Sequence, residues 1–269
     1  MAYWEWGDPA HGRVLVCVHG LSRQGRDFDT LAADLASHYR VVCPDVAGRG
    51  RSDWLADPMG YSIPGYVADM VTLIARLDAE HVDWVGTSMG GLIGLGVAAL
   101  KGSPVRRLVL NDVGPAIEPA SLQRIGTYLG MPARWNTLDE AADAMWAISQ
   151  GFGPHTREQW LALTRPQLVA DGDGFKPHYD PAIAVPFRAV TPEIAKAGEA
   201  LLWQAWDSLR QPTLLLRGAV SDLLSAATAQ AMCERGPKAR LVQFDGVGHA
   251  PMLVQPGQRA VVRDFLLAP

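Results

Sequence analysis

Two apolar patterns alternate along much of the chain. Short continuous apolar runs, such as Val14–Val18 and Arg40–Pro44, end at Gly or Pro and are typical of buried β-strands. Between such runs, apolar residues recur at the three- and four-residue spacing of an amphipathic helix. One stripe of this kind consists of Val67, Met70, Val71, Ile74 and Leu77. The alternation predicts an α/β fold with a mostly parallel, doubly wound sheet that is covered by helices on both faces.

The alternation continues to about Asp112 and resumes after Asp207. Further strands are predicted at residues 82–85, 105–110, 212–218 and 240–244, and closing helices at residues 226–233 and 259–267. Between the two halves, the pattern is helical and contains no convincing strand. Thr137 and Thr156 each stand three residues before Glu or Gln, which is the spacing of a helix-starting capping box. We therefore expect a core domain of residues 1–113 and 207–269, with a helical cap (lid) of residues 114–206 inserted in it.

Ser88 occupies the most informative position in the chain. It lies between the predicted strand at 82–85 and a glycine-rich apolar helix at 91–100, and Gly86 and Gly90 flank it two residues away on either side. This is the pattern of a nucleophile elbow, in which a serine sits at a sharp turn from strand to helix. The pentapeptide alone is a weak signal, but the strand and helix around it strengthen it. Ser88 is the predicted nucleophile.

A serine hydroxyl needs an adjacent base that is itself oriented by a third group. His249 follows the last predicted strand and has glycines before it, so we expect it to be that base. Loops at the carboxyl ends of parallel strands are where sites form in such sheets. Asp222, after the strand at 212–218, completes the order Ser, Asp, His that is expected for an elbow serine. Asp112, after the strand at 105–110, is the rival acid, and we favour Asp222.

Catalysis by such a serine also requires hydrogen-bond donors for the oxyanion that develops on the attacked carbonyl. One donor is expected to be the backbone N–H of Met89, at the start of the elbow helix. The other is expected in the loop His19-Gly20-Leu21-Ser22 that follows Val14–Val18, and we assign it to the N–H of Leu21. His19 is expected to hold this loop by hydrogen bonds.

Composition narrows the possible partners. The 269 residues carry a formal net charge of −4 with both signs interspersed, so no field would attract nucleic acid or an anionic membrane. The three cysteines are an odd number and argue against a disulfide framework. The N-terminus has no basic segment followed by an apolar one, and no apolar run approaches membrane-spanning length, so a cytoplasmic location is expected. The sequence makes no prediction of oligomeric state.

Other chemistries find little support. No His/Cys cluster has metal-ligand spacing, and no glycine-rich loop fits a phosphate site. The segment Asp171-Gly172-Asp173-Gly174 has part of a calcium-loop pattern but lacks the further ligands, so a polar turn is expected there. We therefore expect neither a metal nor a cofactor.

These motifs together resemble the serine hydrolases of the α/β-hydrolase superfamily, in the lid-bearing group of esterases and lactonases. The similar segments are His19-Gly20, residues 45–52, the elbow at Ser88, Asp222, and Gly248-His249. They span nearly the whole chain outside the predicted lid, and the combination is specific. The resemblance implies that residues 45–52 are structural and shape the pocket floor. Relatives usually have one more strand before residues 3–6, and its expected absence would trim the edge of the sheet.

The resemblance implies a cofactor-independent enzyme that cleaves small-molecule carboxylic esters through an acyl-enzyme. The tryptophans of the predicted lid suggest a sheltered apolar pocket for small to medium acyl groups. One alternative is a carbon–carbon bond hydrolase or enol-lactonase that uses the same triad. A second, from a different class, is a ligand-binding protein that keeps the fold but turns over slowly.

Overall fold

Nine strands and ten α-helices are distributed along residues 1–269, all of which the computed structural model describes. The strands are β1 Tyr3–Trp6, β2 Val14–Val18, β3 Arg40–Pro44, β4 Val82–Thr87, β5 Val105–Asn111, β6 Leu168–Asp171, β7 Gly174–Pro177, β8 Thr213–Gly218 and β9 Arg240–Phe244. The helices are α1 Asp29–Leu35, α2 Ile63–Arg76, α3 Met89–Ala98, α4 Pro119–Tyr128, α5 Leu138–Ser149, α6 Arg157–Thr164, α7 Ala184–Arg188, α8 Pro192–Ser208, α9 Ala226–Glu234 and α10 Pro256–Leu267.

Seven strands form one sheet in the order β1-β3-β2-β4-β5-β8-β9. Only β1 at the edge is antiparallel to its neighbour, and the other six strands are parallel. The predicted mostly parallel α/β sheet is therefore confirmed. Because parallel strands end at the same side of a sheet, the loops after β2, β4, β5 and β8 lie along one edge.

Alternate residues of the strands enter two separate cores. In β2, Val14, Val16 and Val18 belong to the core that also contains apolar residues of α2 and α3. Leu15 and Cys17 point to the opposite face, where they pack with residues of α1 and α10. Side chains of a strand alternate between its faces, and helices cover both faces here. This is why the central strands consist of continuous apolar runs rather than alternating ones.

The segment between β5 and β8 contains five helices and a hairpin. The expectation that it has no strand is wrong, because β6 and β7 pair antiparallel in a separate two-stranded sheet. Each strand has only four residues and partly exposed side chains, so the pattern of a buried strand is missing. The predicted polar turn at Asp171–Gly174 joins them. The division of core and cap at residues 206 and 207 remains a prediction, and it falls within α8.

Part of this insertion packs against the loop that follows β9. Trp160 is buried beside Trp146 and donates a 2.7 Å hydrogen bond from Nε1 to the carbonyl of Ala142. The same apolar cluster includes Met252 and Val254, which follow His249 in the chain. The backbone N–H of Gly248 also donates to the carbonyl of Gly151, at 2.6 Å. The insertion therefore holds the loop that carries His249.

None of the helices combines the length and the apolar character that crossing a lipid bilayer requires.

Candidate active site

Ser88 lies between the last residue of β4 and the first residue of α3, in a backbone conformation that L-residues rarely adopt. Its φ is 52° and its ψ is −117°. The flanking glycines allow this turn because the backbone is crowded on both sides. A Cβ on Gly86 would lie 2.2 Å from the carbonyl oxygen of Gly90, and a Cβ on Gly90 would lie 2.0 Å from that of Val18. The predicted elbow therefore has the tight strand-to-helix packing that only glycine permits.

His249 lies over the elbow serine. Its Nε2 is 3.0 Å from Ser88 Oγ, within hydrogen-bond reach, and its side chain is 11% exposed. Ser88 itself is partly accessible. The pairing of these two residues agrees with the sequence-based expectation. It satisfies the geometric requirement for a base that takes the serine proton.

The other imidazole nitrogen faces Asp112. Asp112 Oδ2 is 2.8 Å from His249 Nδ1, and the carboxylate is fully buried. Two further donors hold it: the Ser221 hydroxyl at 2.6 Å from Oδ2 and the Gly218 N–H at 2.8 Å from Oδ1. A carboxylate on Nδ1 selects the tautomer in which Nε2 is free to accept the serine proton.

The preference for Asp222 over Asp112 as the acid is therefore wrong. Asp222 is half-exposed, and its carboxylate pairs with the guanidinium of Arg124 on α4, with Oδ2 2.7 Å from Nε. Sequence position could not separate the two acids, because β5 and β8 are neighbouring parallel strands and both acids follow their carboxyl ends. The hydroxyl of Ser221 accepts the N–H groups of Leu223 and Leu224, and the resulting turn directs Asp222 outward.

His19 holds the loop that carries the predicted oxyanion donor Leu21. Its Nδ1 is 2.7 Å from the carbonyl oxygen of Gly20, and its Nε2 accepts the N–H of Val46 at 3.0 Å. Burial lowers the pKa of His19 to about 3, so the ring is neutral with its proton on Nδ1. The carbonyl that it holds belongs to the peptide group whose N–H is that of Leu21. His19 therefore orients this N–H.

The two predicted donor positions adjoin the elbow. A Cβ on Gly20 would lie 3.8 Å from Ser88 Cβ, so the loop before Leu21 lies against the serine. The N–H of Leu21 donates to no group of the protein. Met89 is the first residue of α3, where an N–H has no partner within the helix. Both N–H groups are thus available, although their role as an oxyanion hole remains a prediction.

Asn111 and Ser221 are two side chains of the site that the sequence reasoning did not single out. The amide of Asn111 donates to Thr87 Oγ1 at 3.0 Å and to the carbonyl of Pro251 at 2.7 Å. It thereby ties the residue before Ser88 to the segment after His249. The sequence could have indicated both residues by their position, because each directly precedes a candidate acid. Asn111 precedes Asp112, and Ser221 precedes Asp222.

Comparison with known proteins agrees with this fold. Residues 15–262 match the family model described as the alpha/beta hydrolase family. The 3-hydroxybutyrate-oligomer hydrolase of Cupriavidus necator is 56% identical over 98% of this chain and 92% of its own length. A pimeloyl-[acyl-carrier protein] methyl ester esterase of Xanthomonas campestris is 30% identical over 93% of each chain.

Solved structures give the same result. An alpha/beta hydrolase from Novosphingobium aromaticivorans has a TM-score of 0.87 and 36% identity, covering 98% of this chain and 92% of its own. A hydrolase from Rickettsia typhi has a TM-score of 0.89 and 30% identity, covering 98% of this chain and 89% of its own. The chain therefore belongs to the α/β-hydrolase family, and it is an ester hydrolase.

Proposed function

We propose that this ester hydrolase works through an acyl-enzyme on Ser88, with His249 as the base and Asp112 as the residue that orients the base. One observation carries the proposal: an unbroken path runs from Ser88 Oγ to His249 Nε2 at 3.0 Å, and from His249 Nδ1 to Asp112 Oδ2 at 2.8 Å. Nucleophile, base and orienting acid thus stand in the mutual geometry that serine hydrolysis requires.

In the first half of the reaction, Ser88 Oγ bonds to the ester carbonyl carbon and its proton moves to His249 Nε2. The carbonyl π electrons move to oxygen, and the N–H groups of Leu21 and Met89 are proposed to bind this oxyanion. The bond between the carbonyl carbon and the alkoxy oxygen then breaks. His249 passes its proton to the departing alcohol, which leaves an ester of Ser88.

In the second half, His249 takes a proton from water as the water oxygen bonds to the acyl carbon. Collapse of this second tetrahedral intermediate breaks the Ser88 ester, and the serine recovers its proton from His249. Asp112 keeps its hydrogen bond to His249 Nδ1 and stabilises the imidazolium that forms in each half. The products are a carboxylic acid and an alcohol.

We infer that the substrates are esters of short 3-hydroxyacyl groups, with oligomers of 3-hydroxybutyrate as the best match. The support is the Cupriavidus relative, which is 56% identical over nearly the whole chain. An oligomer of a hydroxy acid is joined by ester bonds, which the proposed chemistry can cleave. This narrows the expectation of small to medium apolar acyl groups to acyl groups with a hydroxyl on the third carbon.

The test compares p-nitrophenyl esters of 3-hydroxybutyrate, butyrate and octanoate with the linear dimer and trimer of 3-hydroxybutyrate. We expect the highest kcat/KM on the 3-hydroxybutyrate compounds, release of 3-hydroxybutyrate from the dimer, and loss of all activities in Ser88→Ala. Equal or better cleavage of octanoate would reject the substrate proposal alone. Retention of activity by folded Ser88→Ala would reject the mechanism.

The same protein samples distinguish ester hydrolysis from two alternative functions. Cleavage of ring-opened dienones faster than of any ester would favour the carbon–carbon bond hydrolase. Stoichiometric binding of an ester without turnover would favour a ligand-binding protein. The 2-(acetamidomethylene)succinate hydrolase of Mesorhizobium japonicum, 26% identical over 91% of this chain, is a more distant relative. The relatives with higher identity, which include a methyl ester esterase, favour ester cleavage as the reaction.

A cytoplasmic location stays a proposal. The thiols of Cys17, Cys43 and Cys233 are all free, and Cys17 and Cys43 are buried. Free thiols are the usual state of cysteines in a reducing compartment. Fractionation of cells that make the protein would test this, and recovery in a secreted fraction would contradict it.

A further inference from the structure

Arg49 is a fully buried cation beside the proposed oxyanion hole. It lies in the loop after β3, within the segment that the resemblance describes as structural. The whole residue has 0% exposure, and its hydrogen-bond partners are two backbone carbonyls, one phenol and one thioether. None of these partners carries a negative charge. Arginine side chains are cations in proteins, so a positive charge lies in the protein interior here.

The guanidinium contacts both residues that supply the proposed oxyanion donors. Its Nε donates to the carbonyl of Leu21 at 2.8 Å. Its Nη2 lies 3.7 Å from the sulfur of Met89. The loop of Leu21 and the start of α3 come from separate parts of the chain, so Arg49 ties the two together. If Leu21 or Met89 moved, it would disturb its contact with the rigid, planar guanidinium of Arg49.

Arg49 is itself held firmly. Its Nη1 donates to the carbonyl of Ala47 at 2.7 Å and to the hydroxyl of Tyr66 at 2.8 Å. The rings of Tyr61 and Tyr66 lie 5.6 Å and 5.2 Å from the guanidinium carbon, within the range of cation–π contacts. The Tyr61 hydroxyl donates to Asp180 at 2.5 Å, which fixes this ring. The charge is therefore held at one place.

Burying a guanidinium without a carboxylate partner costs free energy, but this cost does not by itself indicate a role in the reaction. Arg217 is also buried, and it likewise bonds carbonyls of Ala219 and Leu224 and the amide oxygen of Gln243. Its partners belong to the loop after β8 and to β9. The distinguishing feature of Arg49 is contact with Leu21 and Met89, where negative charge would appear only during the reaction. A cation fixed there stabilises the charged intermediate more than the neutral substrate.

We propose that Arg49 is a positioning residue of the oxyanion hole, which holds the Leu21 and Met89 donors in register and whose permanent charge favours the oxyanion. This inference rests on the proposed function, because it requires the tetrahedral intermediate on Ser88. It predicts that loss of the charge weakens binding of an oxyanion far more than binding of a neutral ligand of the same shape.

The test uses 1,1,1-trifluoro-2-hexanone, whose carbonyl carbon bonds to Ser88 Oγ while the serine proton passes to His249. The hemiketal oxygen in this adduct is an oxyanion. The non-fluorinated 2-hexanone is the neutral comparison. Inhibition constants of both are measured for wild type, Arg49→Met, Arg49→Gln and Arg49→Lys, together with kcat and KM on p-nitrophenyl butyrate. Fluorine NMR against pH gives the pKa of the hemiketal in each protein.

We expect Arg49→Met and Arg49→Gln to lower kcat by about 100-fold, the typical loss for one oxyanion donor. Trifluoroketone affinity should fall in parallel, the pKa of the hemiketal should rise, and KM and 2-hexanone affinity should stay within about threefold. Arg49→Lys should bind the trifluoroketone at least about tenfold more tightly than Arg49→Met, because it restores the charge. Arg40→Met, which removes a mostly buried guanidinium paired with Glu5 at the sheet edge, is the control and should keep both affinities.

Equal trifluoroketone affinities in Arg49→Lys and Arg49→Met would overturn the inference, as would a parallel loss of 2-hexanone affinity. If Arg49→Met does not fold, Arg49→Lys against Arg49→Gln makes the same comparison. Ser88→Ala separates this outcome from failure of the proposed function. If Ser88→Ala is inactive while the Arg49 variants match wild type, only the present inference fails.

Discussion

His249 Nδ1 lies 2.8 Å from Asp112 Oδ2, so the acid that orients the imidazole comes from the end of β5 and not from the end of β8. Asp112 adopts a left-handed backbone conformation with φ of 57° and accepts three hydrogen bonds. Asp222 instead faces solvent with Arg124 as its partner. Two acids at the ends of neighbouring strands thus have separate roles, one inside the site and one at its surface.

The two acids can be told apart by a matched pair of substitutions. We expect Asp112→Asn to lower kcat by about 10³- to 10⁴-fold, because the amide no longer holds the imidazole in the tautomer that accepts the serine proton. Asp222→Asn should change kcat by less than about threefold and the free energy of unfolding by less than about 1 kcal/mol, as for an exposed ion pair. Steady-state kinetics and urea unfolding of both variants give the answer. A large kcat loss in Asp222→Asn alone would restore the sequence-based assignment.

The hydroxyl of Ser221 is expected to support Asp112. It donates to Asp112 Oδ2 at 2.6 Å, and a hydrogen bond to an ionised carboxylate contributes about 1.5–3 kcal/mol. Ser221→Ala should lower kcat by about tenfold and leave KM nearly unchanged, since the hydroxyl holds Asp112 in place beside His249 and is not expected to bind substrate. Ser225→Ala is a suitable control, because this serine caps α9 rather than Asp112. Equal kinetic losses in both variants would show that only loop stability matters.

His19 should make stability depend on pH. Its pKa is lowered by burial to about 3, from about 6.5 in an unfolded chain. Above pH 6.5 the His19 ring is neutral in both the folded and the unfolded state, so its full contribution to the free energy of unfolding is present. As the pH falls from 6.5 towards 3, the unfolded chain takes up a proton that the folded protein does not, so stability is lost. A single group of this kind contributes a slope of about 1.4 kcal/mol per pH unit.

The measurement is urea unfolding of wild type and His19→Gln at intervals between pH 4 and pH 7. Glutamine offers an NH₂ donor group and a carbonyl acceptor but does not titrate in this range. The free energy of unfolding of wild type should fall more steeply below pH 6 than that of the variant. All other titrating groups are common to both proteins, so they cancel in the difference. Parallel curves would contradict a neutral, buried His19.

The elbow glycines should tolerate no side chain. A Cβ on Gly90 would lie 2.0 Å from the carbonyl of Val18, and the contact is with backbone that cannot move aside. Gly90→Ala should therefore either fail to fold or lose several kcal/mol of stability together with its activity. In α8, a Cβ on Gly198 would meet nothing within 4 Å, so Gly198→Ala should stabilise the protein by about 0.5–1 kcal/mol. Thermal unfolding of both variants checks this contrast.

Local patterns were sufficient for the core elements. The strands predicted at 14–18, 40–44 and 240–244 are found with the same bounds. The first two are largely buried and are therefore nearly continuous apolar runs. The elbow serine and His249 were also predictable, since Ser88 directly follows the end of β4 and His249 lies in the loop after β9, each with glycines nearby. In contrast, β6 and β7 were missed, because short, half-exposed strands pair with each other outside the main sheet and leave no apolar run.

Apolar periodicity and glycine spacing along the chain are enough to predict the fold class, the strand-to-helix turn at Ser88 and the loop position of His249. Which carboxylate meets the imidazole depends instead on contacts between segments that are distant in the chain. Asp112 and Asp222 follow adjacent strands, and their roles depend on hydrogen bonds from Ser221 and Gly218 that turn one acid inward and leave the other with Arg124. The same holds for Arg49, whose contacts with Leu21 and Met89 join segments far apart in the chain.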